Sequence, residues 1–326
     1  MIIKKKLLGK TKIKCPIIGF GGAPIGNLFK NLSNQKARII LESAQKNNIN
    51  FYDTSPLYGY GLSEKRIGEF LKLLDRNKFL LSTKVGRYLV KEDNDKIDRG
   101  IFKGGLNFKP IIDYTYDGVM RSFEQSLNRL NVDYIDLCLL HDVDYFTHKK
   151  KFNFYFKQSL NGAYLALQRL KEEKLVRAIG LGLNDAQVAN KFLLREDFDC
   201  VLLAGRYTLL DRTAEKEFFK TAKKNNVGVI LAGIFNSGIL AKGTKNSTYF
   251  YKSIPNKIKK KYLKIKKLCD EFDLPVQAAS IQFPLRNKNV SSIILGMDEI
   301  NQIQENLNFL TLKINKDFWE ELDNLK

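Results

Sequence analysis

The feature that most constrains this chain is a hydrophobic period that switches back and forth along its length. Short apolar or β-branched runs recur at 17–21, 50–54, 79–84, 134–140, 176–181, 200–204, 227–232 and 291–295. Between them lie longer segments whose apolar residues return at helical spacing, at 34–47, 63–74, 116–130, 162–173, 185–194, 214–225 and 256–272,. Ser63, three residues before Arg66, and Asp185 are placed to cap two of these helices,. A strand apolar on both faces must be buried on both, as happens when helices cover one face and a barrel interior the other. Eight such units predict an α/β fold of one kind, a (β/α)8 TIM barrel; an open doubly wound sheet usually has fewer. No Pro- or Ser-rich joint divides the chain, so residues 1–326 read as one domain.

Residues 5–8 and 12–15, around Gly9-Lys10, read as a short N-terminal β-hairpin closing the bottom of the barrel,. Three connections are long, 86–113, 142–160 and 233–255, and all three follow strands. Loops after strands build the active face of such a barrel, so the substrate pocket is expected from the loops after strands 3, 4 and 7.

Composition excludes several classes of function. No apolar run approaches the ~20 residues that span a bilayer, and the basic start lacks the apolar stretch of a secretory signal, so a cytoplasmic protein is expected,. Cys15, Cys138, Cys200 and Cys269 are far apart and have no short-range partner of the kind a metal motif supplies; no metal is expected, and three of them, in or beside apolar segments, read as small buried hydrophobes,. The net charge of +20 invites a nucleic-acid reading,. Its densest cluster, 257–267, carries Ile258, Tyr262 and Ile265 at helical spacing, which makes the lysines a solvated helix face,. No nucleic-acid partner is expected. Two glycine-rich stretches imitate a dinucleotide fingerprint, but Pro24 and Asp185 stand where the last glycine belongs, and turns at a barrel rim explain both,.

The polar residues that end the strands carry the chemistry. Asp53 closes strand 2, Tyr58 follows five residues later, Lys84 closes strand 3, and His141 follows strand 4. Neighbouring strands lie ~4.8 Å apart, so groups at the same end of three successive strands meet across the mouth. A phenol with a pKa near ~10 shares its proton poorly at neutral pH. A lysine ammonium beside it favours the phenolate, an aspartate holds that lysine charged, and a histidine supplies a directed partner for a reacting oxygen.

The blocks Phe51-Tyr52-Asp53-Thr54-Ser55-Pro56-Leu57-Tyr58-Gly59, Ser82-Thr83-Lys84-Val85-Gly86 and Leu140-His141-Asp142 resemble the signature blocks of the aldo-keto reductase superfamily, over nearly the whole chain. The resemblance implies a barrel that binds NAD or NADP extended, without a Rossmann domain. It implies Tyr58 as general acid/base, Lys84 and Asp53 as its tuning pair, and His141 as the oxygen-orienting residue. It also implies Asn184 on the nicotinamide carboxamide, and an adenine-end block from Gly296 through Asp298, Glu305 and Asn306 in which a glycine turn and a helix N-terminus hold phosphate. The chain departs from the superfamily at Ala204, where a glutamine is usual, and at Ala232, where a stacking tyrosine is common; Phe235 is placed to supply another stacking surface.

Further blocks at 134–137, 202–211 and 233–241 resemble the sugar-oxidising subgroup that includes L-fucose dehydrogenase, D-threo-aldose 1-dehydrogenase and a pyridoxal 4-dehydrogenase. The function expected is therefore NAD(P)-dependent oxidation of an aldose at its anomeric carbon to a lactone. The alternatives are pyridoxal oxidation, general aldehyde reduction, or a non-catalytic cofactor-sensing subunit. Arg87, Asp142, Phe235 and Asn236 are the expected substrate-binding residues, and the partner is a small sugar or aldehyde. Asp298, where many relatives have arginine, would repel a 2′-phosphate and favours NAD slightly over NADP, unless it only caps the following helix.

Overall fold

The computed structural model describes residues 2–245 and 247–325. A hairpin of β1 (Lys5–Leu7) and antiparallel β2 (Lys14–Pro16) leads into the first barrel strand, β3 (Ile18–Gly21). Then follow α1 (Asn34–Lys46), β4 (Phe51–Asp53), α2 (Leu62–Leu71), β5 (Leu80–Val85), the excursion β6 (Arg87–Lys91) with β7 (Phe108–Ile112), α3 (Tyr116–Leu130) and β8 (Ile135–His141). The short α4 (Tyr145–His148) and α5 (Phe152–Gln158) run through a π-turn into α6 (Tyr164–Glu172), and β9 (Val176–Leu183), α7 (Ala186–Leu193), β10 (Cys200–Ala204), α8 (Phe218–Lys224) and β11 (Gly228–Ala232) come next. The chain ends with α9 (Ile239–Lys242), α10 (Asn256–Glu271), α11 (Val276–Leu285), β12 (Val290–Gly296), α12 (Ile300–Thr311) and α13 (Lys316–Asn324).

Strands β3, β4, β5, β8, β9, β10, β11 and β12 close into one parallel barrel in chain order, so all eight expected strands form. Alternation along each strand divides the apolar residues. Phe51, Leu137, Leu139, Cys200, Leu202, Ile230 and Ile294 fill the interior, while Tyr52, Cys138, Leu140, Val201 and Ile293 face the helices,. The hairpin plugs the bottom as expected: Leu8, Ile13 and Cys15 join the interior cluster, and the Lys10 N–H donates to the Asn226 carbonyl at 2.8 Å. All four cysteines are buried and free.

Several local expectations need correction. The α2 helix starts at Leu62 behind Gly61, which takes φ +94°, so Ser63 is not its cap; its hydroxyl instead donates to the Gly22 carbonyl at 2.8 Å. Asp185 does cap α7, accepting from the N–H groups of Gln187 and Val188. The long connection after β5 is not plain loop, because β6 and β7 pair antiparallel from Arg87↔Ile112 to Lys91↔Phe108. The connection after β8 holds α4 and α5, and the expected helix at 214–225 is confined to Phe218–Lys224. The lysine-rich α10 buries Tyr262, Ile265 and Leu268 and leaves its lysines mostly in solvent, as an amphipathic surface helix should,.

Candidate active site

Strand alternation places Asp53, Lys84 and His141 on the interior face at the barrel mouth, where the apolar filling stops. The Lys84 ammonium donates to Asp53 Oδ2 and to the Thr54 carbonyl, both at 2.8 Å, and the Ser82 hydroxyl holds the other Asp53 oxygen at 2.9 Å. Gly182, on the far side of the mouth, leaves room for the lysine stem: a Cβ there would lie 3.3 Å from Lys84 Cδ. Lys84 Nζ stands 4.8 Å from the centroid of the Tyr58 ring, and the Tyr58 and His141 rings meet edge-on with centroids 6.1 Å apart. The four expected catalytic residues therefore converge, and His141 is the last residue of β8 rather than the first of the loop.

The charges in this pocket are set by burial first. Burial pushes the Tyr58 phenol up to about 12, against the pull of the Lys84 ammonium. Burial also disfavours the Lys84 charge, yet Asp53 and Tyr58 together raise that ammonium above its ordinary value,. The His141 imidazole is held well below its ordinary value, by burial and then by Arg87 and Lys84, so it is neutral at physiological pH,. Its Nδ1 lies 3.1 Å from the Ser55 hydroxyl. If that hydroxyl donates, Nε2 carries the imidazole proton. Tyr58 is thus a phenol that holds its proton, beside a neutral imidazole; the lysine moderates its pKa without bringing it near neutrality.

Asp53, Tyr58, Lys84, His141 and Asp142 line one cavity of about 380 Å³, walled on its outer side by Leu57, Phe102, Phe146 and Tyr251. A second cavity of about 440 Å³ continues from it past Asn184, Gly233 and Gly296, and holds Asp298, Glu305 and Asn306. Asn184 and Gly296 line both. The whole is an elongated trough across the mouth with Asp53, Tyr58, Lys84 and His141 at one end and the start of α12 at the other.

Among the expected substrate-binding residues, only Asp142 lines the cavity that holds Tyr58 and His141. Arg87 is buried behind it at the head of β6, with Nη2 3.2 Å from Asp142 Oδ2. Phe235 and Asn236 lie on the other cavity, because the chain turns at Gly233 (φ +61°) and runs along the trough. The Asn236 amide is engaged within the protein: it accepts from the Thr208 hydroxyl at 2.6 Å and lies 3.4 Å from the Gly205 carbonyl. Asp298 is not the helix cap. Glu299 caps α12 in a capping box with Gln302, and the Gln302 amide donates to Asp298 Oδ1 at 2.9 Å while Lys30 Nζ lies 3.7 Å from Oδ2,. The Asp298 and Glu299 N–H groups both point to Gln302 Oε1, so the helix N-terminus has less free donor capacity than expected.

Other site residues were not anticipated. Ser55 lies inside a quoted block and was legible there in principle. Tyr114 and His148, from α3's approach and α4, had no such signal: the Tyr114 hydroxyl donates to the His141 carbonyl at 2.8 Å and stands 3.0 Å from His148 Nε2. The block at 202–211 turns out to clamp the rim, since Arg206 donates to the Asn184 carbonyl at 2.5 Å, pairs with Asp211 at 3.1 Å and stacks 4.0 Å over the Phe250 ring.

This arrangement of a barrel, an elongated trough and a Tyr–Lys–Asp–His mouth agrees with sequence comparison, in which the profile of the Aldo/keto reductase family matches residues 17–326. The chain belongs to that family. As an aldo-keto reductase it is an oxidoreductase of a group that uses nicotinamide cofactors. Pyridoxal 4-dehydrogenase of Microbacterium luteolum is 37% identical over 98% of this chain and 96% of its own length. D-threo-aldose 1-dehydrogenase of a Pseudomonas species is 35% identical over 94% of this chain and 93% of its own. The fold is shared with an aldo-keto reductase of Bacillus halodurans, with a TM-score of 0.75, 24% identity and coverage of 99% of this chain and 96% of that one. Among the described residues no cluster of three His, Cys, Asp or Glu side chains could hold a metal ion, and no helix is long and apolar enough to cross a membrane.

Proposed function

We propose that this aldo-keto reductase oxidises an aldose at its anomeric carbon to the lactone. The observation that carries the reading is the Asp142 carboxylate, which opens into the same small cavity as Tyr58 and His141 and is held there by Arg87. A charged acceptor beside the reacting centre suits a polyhydroxylated substrate, whose hydroxyl can add a donor to those that Asn184 and Arg87 already give this carboxylate,. The surrounding Leu57, Phe102 and Phe146 suit the apolar face of a single ring.

The trough fits an extended dinucleotide. It is continuous from the catalytic cluster to the start of α12, and Asn184 projects an amide where both cavities meet. Asn184 would hold the nicotinamide carboxamide, and Gly296, Asp298, Glu305 and Asn306 the adenosine end. The bound nicotinamide supplies the hydride acceptor. His141 orients the anomeric oxygen, and Tyr58 exchanges the proton of that oxygen. Since Tyr58 holds its proton to about pH 12, it is poised as a general acid for the reductive direction,. In the oxidative direction Tyr58 first gives its own proton to solvent and then takes that of the anomeric hydroxyl, and the Lys84 ammonium favours the phenolate this needs,. The carboxylate of Asp298 at the far end favours the 2′-hydroxyl of NAD over the 2′-phosphate of NADP.

A second reading, oxidation of the cyclic hemiacetal of pyridoxal, is favoured by the 37% identity to a pyridoxal 4-dehydrogenase. Reduction of NAD+ and NADP+ followed at ~340 nm with L-fucose, L-galactose, D-arabinose, pyridoxal and simple aliphatic alcohols separates the two, with aliphatic aldehydes tested in reverse. The aldose reading expects the highest kcat/KM with an aldose. A higher value with pyridoxal gives the second reading, and a higher one with aliphatic aldehydes removes both.

A further inference from the structure

Asp142 stands where the two ends of the site meet. Its backbone takes φ +52°, a left-handed conformation that a non-glycine residue keeps only when neighbours hold it,. Here its N–H donates to the Gly182 carbonyl and its carbonyl accepts from the Asp144 N–H, both at 2.9 Å. The two carboxylate oxygens have different partners. Oδ1 accepts from the Asn184 side-chain amide at 2.9 Å; Oδ2 lies 3.2 Å from Arg87 Nη2 and 3.4 Å from His141 Nε2. One carboxylate thus touches both the imidazole of the catalytic cavity and the amide that opens toward the rest of the trough.

We propose that Asp142 is a positioning residue for the nicotinamide, fixing which way up the Asn184 amide stands. An asparagine amide can turn over with almost no change of shape, exchanging a donor end for an acceptor end. An ionised carboxylate only accepts, so Asp142 is satisfied by Asn184 Nδ2 alone, and Asn184 Oδ1 is left as the acceptor for an N–H of the cofactor's carboxamide. Arg87, which only donates, keeps the charge on Asp142. The Asn184 backbone is fixed as well, by Arg206. The chain Arg87–Asp142–Asn184 therefore carries order from the β6–β7 hairpin to the cofactor site. The inference rests on the reading of Asn184 as the carboxamide clamp and deepens it.

Asp142→Asn tests this with little change in volume. The introduced amide has one acceptor oxygen, which the Arg87 guanidinium claims, so its NH2 faces Asn184 and turns that amide over. Dissociation constants are measured by calorimetry for NAD+ and ADP-ribose, or for NADP+ and 2′-phospho-ADP-ribose if the enzyme takes that dinucleotide; the second ligand of each pair lacks only the nicotinamide. Asp142→Asn should weaken the dinucleotide about five- to tenfold, the size of one lost hydrogen bond, and leave the truncated ligand bound as in the wild type. Asn184→Ala should give the same pattern, and the double variant should be no weaker than Asn184→Ala alone. Binding of the truncated ligand also reports that each variant is folded. The proposal is overturned by unchanged dinucleotide binding in either single variant, by equal loss of both ligands, or by additive losses in the double variant. No sugar enters the measurement, so failure of every aldose in the substrate panel would leave the result standing.

Discussion

At the scale of single residues, Asp53 stands two positions beyond Phe51, Lys84 four beyond Leu80 and His141 two beyond Leu139; Phe51 and Leu139 belong to the barrel-interior cluster and Leu80 packs against it. The same alternation that buries the apolar residues therefore aims the ionisable ones into the mouth. Tyr58 comes from a loop and depends on them. Tyr58→Phe should leave cofactor binding intact and lower turnover ~10²–10⁴-fold, because only the exchangeable proton is lost. Lys84→Met should slow turnover as well and lower the melting temperature, since it leaves Asp53 buried without its partner. Steady-state rates beside cofactor titrations check both; near-normal rates in the two variants would place the chemistry elsewhere. The pH dependence belongs to Asp142, whose carboxyl burial pushes up to about 6. Arg87, Lys84 and the Asn184 amide oppose that rise, and Asp144 adds to it. Above pH ~6 the carboxylate is charged and accepts from Asn184; below it the proton, kept off Oδ2 by the donor-only Arg87, goes to Oδ1 and sets a hydroxyl against the Asn184 amide,. His141 stays neutral through this range. The affinity for the dinucleotide should therefore fall as pH drops through about 6 in the wild type, and Asp142→Asn should lack this limb; a limb that persists in the variant would assign it to another group.

At the scale of elements, the hairpin β6–β7 and the helix α12 decide the two ends of the trough. The hairpin carries Arg87 at its first position, so a connection that reads as loop delivers a buried guanidinium behind Asp142. Its alternating residues were masked by charged and turn-forming neighbours such as Glu92-Asp93-Asn94-Asp95,. Helix α11 was also illegible: its apolar residues are spread round the helix with Pro284 inside, so it has no period to detect, because it is buried on most sides,. At α12 the capping box leaves Asp298 facing the trough with Gln302 and Lys30 beside it. Asp298→Arg should shift cofactor preference toward NADP by supplying paired donors for the 2′-phosphate. Dissociation constants for both cofactors in both proteins check this. Tighter NADP binding by the wild type, or no shift in the variant, would remove Asp298 from cofactor selection.

At the scale of the whole molecule, the hairpin plug and the candidate site sit at opposite ends of the barrel. Leu8, from the hairpin, is fully buried over Gly228, where a Cβ would come within 2.4 Å of its Cδ1. Leu8→Ala should cost ~2–5 kcal/mol, as large-to-small changes in a packed core do, and leave kcat unchanged at temperatures where the variant is folded. Denaturant unfolding beside kinetics reads both; a loss of kcat with stability intact would show that the bottom plug reaches the mouth.

The sequence by itself determined the barrel, the hairpin and the four side chains at the mouth, because each rests on a short-range regularity: alternation along a strand, helical period, and a strand end followed by a polar residue. It also placed Asp142 and Asn184 at the rim. Only the tertiary structure decided what these rim residues touch. That Asp142 accepts from Asn184 across 42 positions, that Arg87 lies behind Asp142 instead of on the cavity wall, and that Phe235 and Asn236 lie along the trough instead of beside Tyr58 and His141 all follow from how loops after different strands pack. The pKa of Tyr58 was settled there too, because the lysine's attraction was legible as a spacing, whereas the larger effect, desolvation, depends on every atom that surrounds the phenol,.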